Sequence, residues 1–81
     1  MKLLILTPDA EVFSGEIDSI SLPGRDGSFQ ILKNHAPLVA SLAIGKLTYT
    51  SGNASTDLKI LKGGFVEVLN NEISVLVEAT A

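Results

Sequence analysis

The sequence contains no cysteine and no tryptophan, and it has a single histidine and a single tyrosine among its 81 residues. Without cysteine, neither a disulfide framework nor a thiolate metal site can support the fold. Aromatic residues make up only 5% of the chain, so aliphatic side chains must fill the core. A chain of this length forms one domain, residues 1–81, whose small core gives modest stability.

Positive charge and long apolar runs are scarce as well. Six basic residues stand against nine acidic ones, and they are scattered from Lys2 to Lys62 rather than clustered. This argues against binding to nucleic acid or to anionic membranes, since both need grouped lysine and arginine. The apolar run at residues 3–6 is too short for a signal peptide or a membrane span. We therefore expect a cytoplasmic protein with no nucleic-acid partner and no direct insertion into lipid.

Alternation of apolar and polar residues is the main pattern in the chain. Between Lys46 and Thr50, for example, Leu47 and Tyr49 alternate with polar side chains, as in a strand with one buried face. Turn residues interrupt such runs about every eight to twelve positions, and no apolar repeat of helical period is sustained. The pattern predicts an all-β fold, a small flattened β-sandwich or barrel of about nine or ten short strands with no C-terminal helical domain.

Turns and core residues can be assigned within this pattern. Asn70 and Asn71 suit a type I′ turn because asparagine tolerates positive φ, and Asp26 with Gly27 suits a second tight turn. Residues 16–22 are interpreted as one strand with a bulge, since the apolar spacing changes phase within them. The residues expected in the core are Leu42, Leu47, Phe65, Val75 and Val77.

Residues 22–38 hold the densest turn signals in the chain. They contain two of the three prolines, together with the only arginine and the only histidine. Residues 29–32 are expected to form a short strand between two turns, with charged residues at the tips. A compact loop of this kind is more often a contact surface than a catalytic one.

No catalytic constellation accompanies this loop. His35 lacks the additional ligands of a zinc site, and Ser14, Ser28 and Ser41 lack the Gly-x-Ser-x-Gly setting of a nucleophile elbow. Residues 24–27 lack the Gly-Lys-Ser/Thr ending of a phosphate loop. We therefore expect no catalytic residue, no cofactor, no metal and no small-molecule ligand, and a function in binding another protein.

A set of short motifs in a fixed order is the most specific feature of the sequence. They read Phe-Ser-Gly-Glu at residues 13–16, Leu-Pro-Gly-x-x-Gly at 22–27, His-Ala-Pro-Leu at 35–38, Gly-x-Leu at 45–47 and Gly-Gly-Phe-x-Glu-Val at 63–68. Through these motifs the chain resembles, nearly from end to end, the epsilon-subunit family of rotary proton-translocating ATP synthases. The resemblance is to the N-terminal β-sandwich domain of that family.

The resemblance implies a non-catalytic central-stalk subunit that couples the gamma subunit to the membrane c-ring during proton-driven ATP synthesis. Such a subunit is peripheral and lies on the cytoplasmic side of the bacterial inner membrane. The resemblance also implies that residues 24–38 face the c-ring, with Arg25, Asp26, Ser28 and His35 at or near the contact. Arg25 could form two hydrogen bonds to a carboxylate and Asp26 could pair with a guanidinium, whereas Ser28 offers only a neutral hydrogen bond.

The chain departs from the family pattern in its central loop and at its end. Residues 30–35 lack the Pro-Gly pair that often precedes the histidine, which leaves Asn34 as the residue for a left-handed conformation. Ser28 stands where many relatives have an acidic residue. Many relatives also continue into a two-helix hairpin, whereas this sequence stops at Ala81. We therefore expect neither inhibition of ATP hydrolysis by inserted helices nor the nucleotide site that some relatives build with the hairpin.

The residues leave two other functions open. A stand-alone β-sandwich adaptor for an unrelated protein partner would differ from a stalk subunit in forming no stable complex with gamma. A small hydrolase is disfavoured by the single histidine, and an activity screen on the pure protein would detect it.

Overall fold

Nine short β-strands form the structure, a computed structural model that describes residues 1–81. They are β1 (Lys2–Leu6), β2 (Glu11–Glu16), β3 (Ser19–Gly24), β4 (Gly27–Leu32), β5 (Leu38–Leu42), β6 (Gly45–Ser51), β7 (Ala54–Ile60), β8 (Gly64–Leu69) and β9 (Glu72–Val77). The predicted all-β fold is thereby confirmed. The structure contains no helix that is long and apolar enough to cross a membrane.

The strands form two layers. They are joined at one corner by pairing between β3 and β5, and elsewhere by the bridge between Ile60 and Thr80, which links β7 to the segment after β9. The first sheet has the order β2-β1-β9-β8-β5, in which only β1 and β9 run parallel. The second sheet has the order β4-β3-β6-β7. The corner is a single pair between Gly24 of β3 and Leu42 of β5, so the two layers are parts of one curled sheet that encloses the core.

The core consists of 14 buried side chains from both sheets, and all of them are aliphatic. They are Leu3, Ile5, Ile17, Ile20, Leu22, Ile31, Leu42, Leu47, Ile60, Val66, Val68, Ile73, Val75 and Val77. No polar or charged side chain is buried among them, so the core needs no internal side-chain hydrogen bonds. The core predictions for Leu42, Leu47, Val75 and Val77 are confirmed.

The core prediction for Phe65 is wrong, because 49% of this residue is exposed. Successive side chains of a strand point to opposite faces, and Val66 and Val68 of β8 both face the core. Phe65 therefore has to face outward, and the bulkiest side chain of β8 lies on the surface of the first sheet.

Asparagine residues occupy the left-handed positions of two turns. Asn70 and Asn71, between β8 and β9, have φ angles of 52° and 61°, as expected for the predicted type I′ turn. Asn34, between β4 and β5, has a φ angle of 65°, as the sequence predicted for the residue that replaces the usual glycine.

The turn between β3 and β4 lies one residue earlier than predicted. Gly24 pairs with Gly27 across the hairpin, so the two central residues of the turn are Arg25 and Asp26. Gly27 follows them with a φ angle of 130°, a conformation that residues with a side chain rarely adopt. The glycine thus ends the turn rather than forming its centre.

The prediction of one bulged strand over residues 16–22 is wrong, because β2 and β3 are separate strands in different sheets. The backbone N–H of Ile17 donates to the carbonyl of Met1, 2.9 Å away, and that of Asp18 donates to the carbonyl of Thr50, 2.7 Å away. The phase change in the apolar pattern therefore marks the crossing from one sheet to the other.

A side chain at Gly64 is expected to destabilise the fold, because β8 and β9 approach each other closely at this position. A Cβ atom there would overlap the carbonyl oxygen of Leu76 and lie 2.8 Å from Cα of Val77. We expect Gly64→Ala to lower the free energy of unfolding by about 1–3 kcal/mol, as for an overpacked core. Urea denaturation compared with Gly63→Ala, whose Cβ would meet only the Leu42 carbonyl at 3.0 Å, provides the measurement. An equal or smaller loss for Gly64→Ala would contradict the prediction.

Candidate partner interfaces

The outward face of the first sheet carries a continuous apolar row. Leu6 of β1 pairs with Leu76 of β9, and Leu76 pairs with Phe65 of β8, so the three side chains lie side by side across the strands. Leu76 and Phe65 are 36% and 49% exposed. Leu69 and Val39 add exposed apolar surface on the same face. We call Leu6, Leu76 and Phe65 the apolar row.

A cleft of about 640 Å³ opens along the apolar row. Pro8, in the loop between β1 and β2, lines it together with the row. Its only charged lining residues are Arg25 and Glu78. We call this depression the row cleft. Apolar surface with few charges in its middle is typical of a protein-binding patch rather than of a solvated sheet face.

The outward face that β3, β6 and β7 form in the second sheet is polar instead. Ser21 pairs with Thr48, and Thr48 pairs with Asp57, across β3, β6 and β7. The hydroxyl of Thr48 donates to Oδ1 of Asp57 at 2.9 Å, and Nζ of Lys46 lies 3.8 Å from Oδ2 of the same carboxylate. These side chains bond to one another, so the face that they form requires no apolar partner.

The four residues predicted to face a ring lie along β4 but not in one cluster. Arg25 and Asp26 form the turn before β4, and Ser28 follows in its second position, all three exposed. His35 comes after the other end of the strand and is half-buried, with Nδ1 2.7 Å from the carbonyl oxygen of Ala36. A strand of this length spans roughly 17 Å, so His35 is well separated from the turn.

β4 is an edge strand, because it pairs with β3 alone. Its free side has Asp26 and Ser28 at one end and His35 beyond the other, where the apolar side chain of Leu32 is also exposed; we call it the β4 edge. Arg25 differs from its neighbours because it also lines the row cleft on the first sheet. It therefore lies at the junction of the two surfaces.

A reciprocal pair of asparagine side chains holds the loop that contains His35. The side-chain amide of Asn71 donates to Oδ1 of Asn34 at 2.9 Å, and the backbone N–H of Asn34 donates to Oδ1 of Asn71 at 2.7 Å. The backbone carbonyl of Asn71 also accepts from the N–H of Lys2, 2.9 Å away. The end of β4 is thereby fixed to the first sheet.

Removing this pair should loosen the loop without changing the turn in which Asn71 lies. We expect Asn71→Gly, which keeps the left-handed backbone available, to lower the free energy of unfolding by about 1 kcal/mol through its lost hydrogen bonds. The amide of Asn34 should then exchange with solvent faster. Asn70→Gly is the matched control, since Asn70 has a similar φ of 52° in the same turn. Equal exchange rates at Asn34 in the two variants would contradict the prediction.

The remaining chemistry of the molecule is sparse. No group of three or more histidine, cysteine, aspartate or glutamate side chains is placed to hold a metal ion, and no buried side-chain polar atom lacks a partner. The apolar row is the feature that the sequence reasoning missed. The signal for it was the alternation of β8, in which inward-facing Val66 and Val68 require Phe65 to face outward.

Comparison with known proteins identifies relatives along the whole chain. The family model of the ATP synthase delta/epsilon chain β-sandwich domain matches residues 1–81. The ATP synthase epsilon chain of Chlorobium limicola is 47% identical over 77 residues, which are 95% of this chain and 88% of that one. The epsilon chain of Leptospira interrogans is 44% identical over 78 residues, 96% of this chain and 61% of the relative. The chain thus spans less than two thirds of the length of the Leptospira relative.

Solved structures share the fold. A chain in the mitochondrial ATP synthase of Euglena gracilis superimposes with a TM-score of 0.90 at 22% identity, over 98% of this chain and 51% of that one. A chain in the mitochondrial ATP synthase of Tetrahymena thermophila gives a TM-score of 0.83 at 23% identity, over 99% and 64%. The resemblance carried by the sequence motifs is confirmed, and the chain belongs to the ATP synthase delta/epsilon chain family, of which it has the β-sandwich domain.

Proposed function

We propose that the chain is a non-catalytic subunit of the central stalk of a rotary ATP synthase, where it couples gamma to the membrane c-ring. In this role it is a peripheral protein on the cytoplasmic side of the bacterial inner membrane. Its relatives are named ATP synthase epsilon chains. The two solved structures that share its fold are described as an assembly of OSCP, F1 and c-ring and as a central stalk with c-ring. The observation that carries the proposal is the contrast, on one small domain, between the apolar row of the first sheet and the polar side chains of Asp26, Ser28 and His35 at the β4 edge.

The gamma subunit is proposed to bind the outward face of the first sheet. Permanent interfaces between subunits are more apolar than ordinary protein surface, and exposed apolar patches mark such interfaces. The apolar row supplies apolar surface for such a contact, and Val39 and Leu69 add more on either side of the exposed Glu67 on the same face. A partner there would cover side chains that are otherwise in contact with water.

The c-ring is proposed to contact the β4 edge. Asp26 can pair with a cationic group of the ring loops, while Ser28 and His35 can form hydrogen bonds along the same border. Each exposed charge pair contributes only about 0–1 kcal/mol, so the contact should depend on several residues together. Arg25, which the sequence analysis grouped with these residues, is placed where it reaches the row cleft as well.

The interior suits a part that has to transmit torque. The 14 aliphatic side chains interdigitate between two hydrogen-bonded layers, and close-packed interiors of this kind deform little. The asparagine pair fixes the His35 loop to the first sheet at 2.7 and 2.9 Å. The proposed ring-facing and gamma-facing surfaces are therefore rigidly connected.

Single cysteines offer a direct map of the two surfaces, because the natural chain has no free cysteine. Three variants place the same small change on three surfaces. Ser28→Cys lies on the β4 edge, Ser41→Cys lies beside Phe65 on the first sheet, and Ser55→Cys lies on the second sheet. Each variant would carry a photoactivatable maleimide and be assembled into the native enzyme. We expect Ser28→Cys to crosslink to subunit c, Ser41→Cys to gamma, and Ser55→Cys to neither.

The pattern of crosslinks decides between arrangements. Crosslinks of Ser41→Cys to subunit c and of Ser28→Cys to gamma would show that the two surfaces are assigned the wrong way round. A chain that purifies from its native membrane without gamma, and that forms no crosslink to either subunit, would favour the stand-alone adaptor.

A further inference from the structure

Arg25 extends the apolar row at its β5 end. Its backbone N–H donates to the carbonyl oxygen of Ser41, 3.0 Å away, and Ser41 pairs directly with Phe65. Across the first sheet the order is therefore Arg25, Ser41, Phe65, Leu76 and Leu6, with the guanidinium-bearing residue at one end.

The charge along this line is asymmetric. Arg25 is the only basic residue that lines the row cleft, and its guanidinium forms no ion pair, since the two ion pairs of the molecule are Met1 with Glu16 and Lys46 with Asp57. Glu78, the one acidic residue that lines the cleft, comes two residues after Leu76 in the chain and lies beside this line, whose far end is Leu6 of β1. An anionic group would thus be attracted to the Arg25 end of the line.

We propose that the row cleft recognises a segment of gamma in which a carboxylate lies beside a bulky apolar side chain. Arg25 binds the carboxylate, and Phe65 and Leu76 receive the apolar side chain. The inference rests on the proposed function, in which gamma covers the first sheet. A guanidinium matches a carboxylate with two parallel hydrogen bonds, which adds geometric specificity to the apolar contact. Because Arg25 lies at one end of the line and the apolar side chain of Leu6 at the other, the segment can dock in only one direction.

The test measures binding of the purified chain to an ATP synthase subcomplex that contains gamma and lacks the c-ring. Arg25→Glu is expected to weaken binding about tenfold or more, since it replaces an attraction by a repulsion. Arg25→Ala is expected to weaken binding by up to about fivefold, which is the upper range for the loss of an exposed ion pair. The affinity of Arg25→Lys should lie between those of Arg25→Ala and the parent. The binding of Arg25→Ala should also depend less on salt concentration than that of the parent.

Lys59→Glu is the matched control, because it makes the same change in net charge on the second sheet. Equal losses of binding affinity for Arg25→Glu and Lys59→Glu would mean that only the net charge of the domain matters, and this would overturn the carboxylate site. Parent-like binding of Arg25→Glu together with weakened binding of Phe65→Ala would also overturn it while leaving gamma on the first sheet. Parent-like binding of both variants would overturn the carboxylate site and the proposed gamma surface together.

Discussion

Leu47→Ala is expected to lower the free energy of unfolding by about 2–5 kcal/mol, the range for large-to-small changes in a packed core. Leu47 lies in β6 with 0% exposure and belongs to the single core cluster. Its loss removes buried apolar surface and leaves a cavity between the two sheets, whose hydrogen-bonded strands limit how far the surroundings can collapse into it. Since the total free energy of unfolding of a small domain is only about 5–15 kcal/mol, this change should bring the protein close to unfolding.

The measurement is urea denaturation followed by circular dichroism, with Leu69→Ala as the matched control. The same atoms are deleted in both variants, but Leu69 is 50% exposed on the outward face of β8. We expect the free energy of unfolding of Leu69→Ala to fall by less than about 1 kcal/mol, because much of the Leu69 side chain is already in contact with water. Similar losses in the two variants would mean that the inward and outward faces have been assigned incorrectly.

The strands were predictable from local pattern because a half-buried strand repeats every two residues. Leu47 and Tyr49 in β6 show this, as do Ile73, Val75 and Val77 in β9. The asparagine turns were predictable for an equally local reason, since few residues other than glycine tolerate positive φ. These features depend on neighbouring residues only.

The arrangement of the strands could not be predicted in the same way. The parallel pairing of Lys2–Leu6 with Glu72–Val77 joins strands from opposite ends of the chain. The crossing between sheets near Ile17 looks like a bulge in the sequence, because a change of sheet and a bulge both shift the apolar phase. Such pairings depend on long-range packing that no single stretch encodes.

The two candidate surfaces also differ in how far the sequence predicts them. The β4 edge comes from consecutive residues, so motifs in the sequence could locate it. The apolar row combines Leu6, Phe65 and Leu76, which lie on three different strands and become neighbours only through the sheet register. Large aromatic side chains are usually buried, but the alternation of β8 turns Phe65 outward.

The second large effect is expected on binding rather than on stability. Phe65→Ala should weaken the association with gamma about 30-fold or more, as for an aromatic side chain in the centre of an interface. Phe65 lies between Leu76 and Ser41 on an inner strand of the first sheet, so a partner that covers the row must cover this ring. The free energy of unfolding should change by no more than about 1 kcal/mol, because the ring is half in water in the free domain.

Binding to the gamma-containing subcomplex and urea denaturation, measured on the same preparations, separate these two effects. Leu32→Ala is the control, since Leu32 is 54% exposed and belongs to the second sheet, through its pairing with Ser19. We expect this variant to bind gamma like the parent. If Phe65→Ala instead loses several kcal/mol of stability, the aromatic ring packs inward and the gamma surface must lie elsewhere. If it stays stable and binds gamma like the parent, the apolar row serves a different partner, and the coupling role has to rest on another face of the domain.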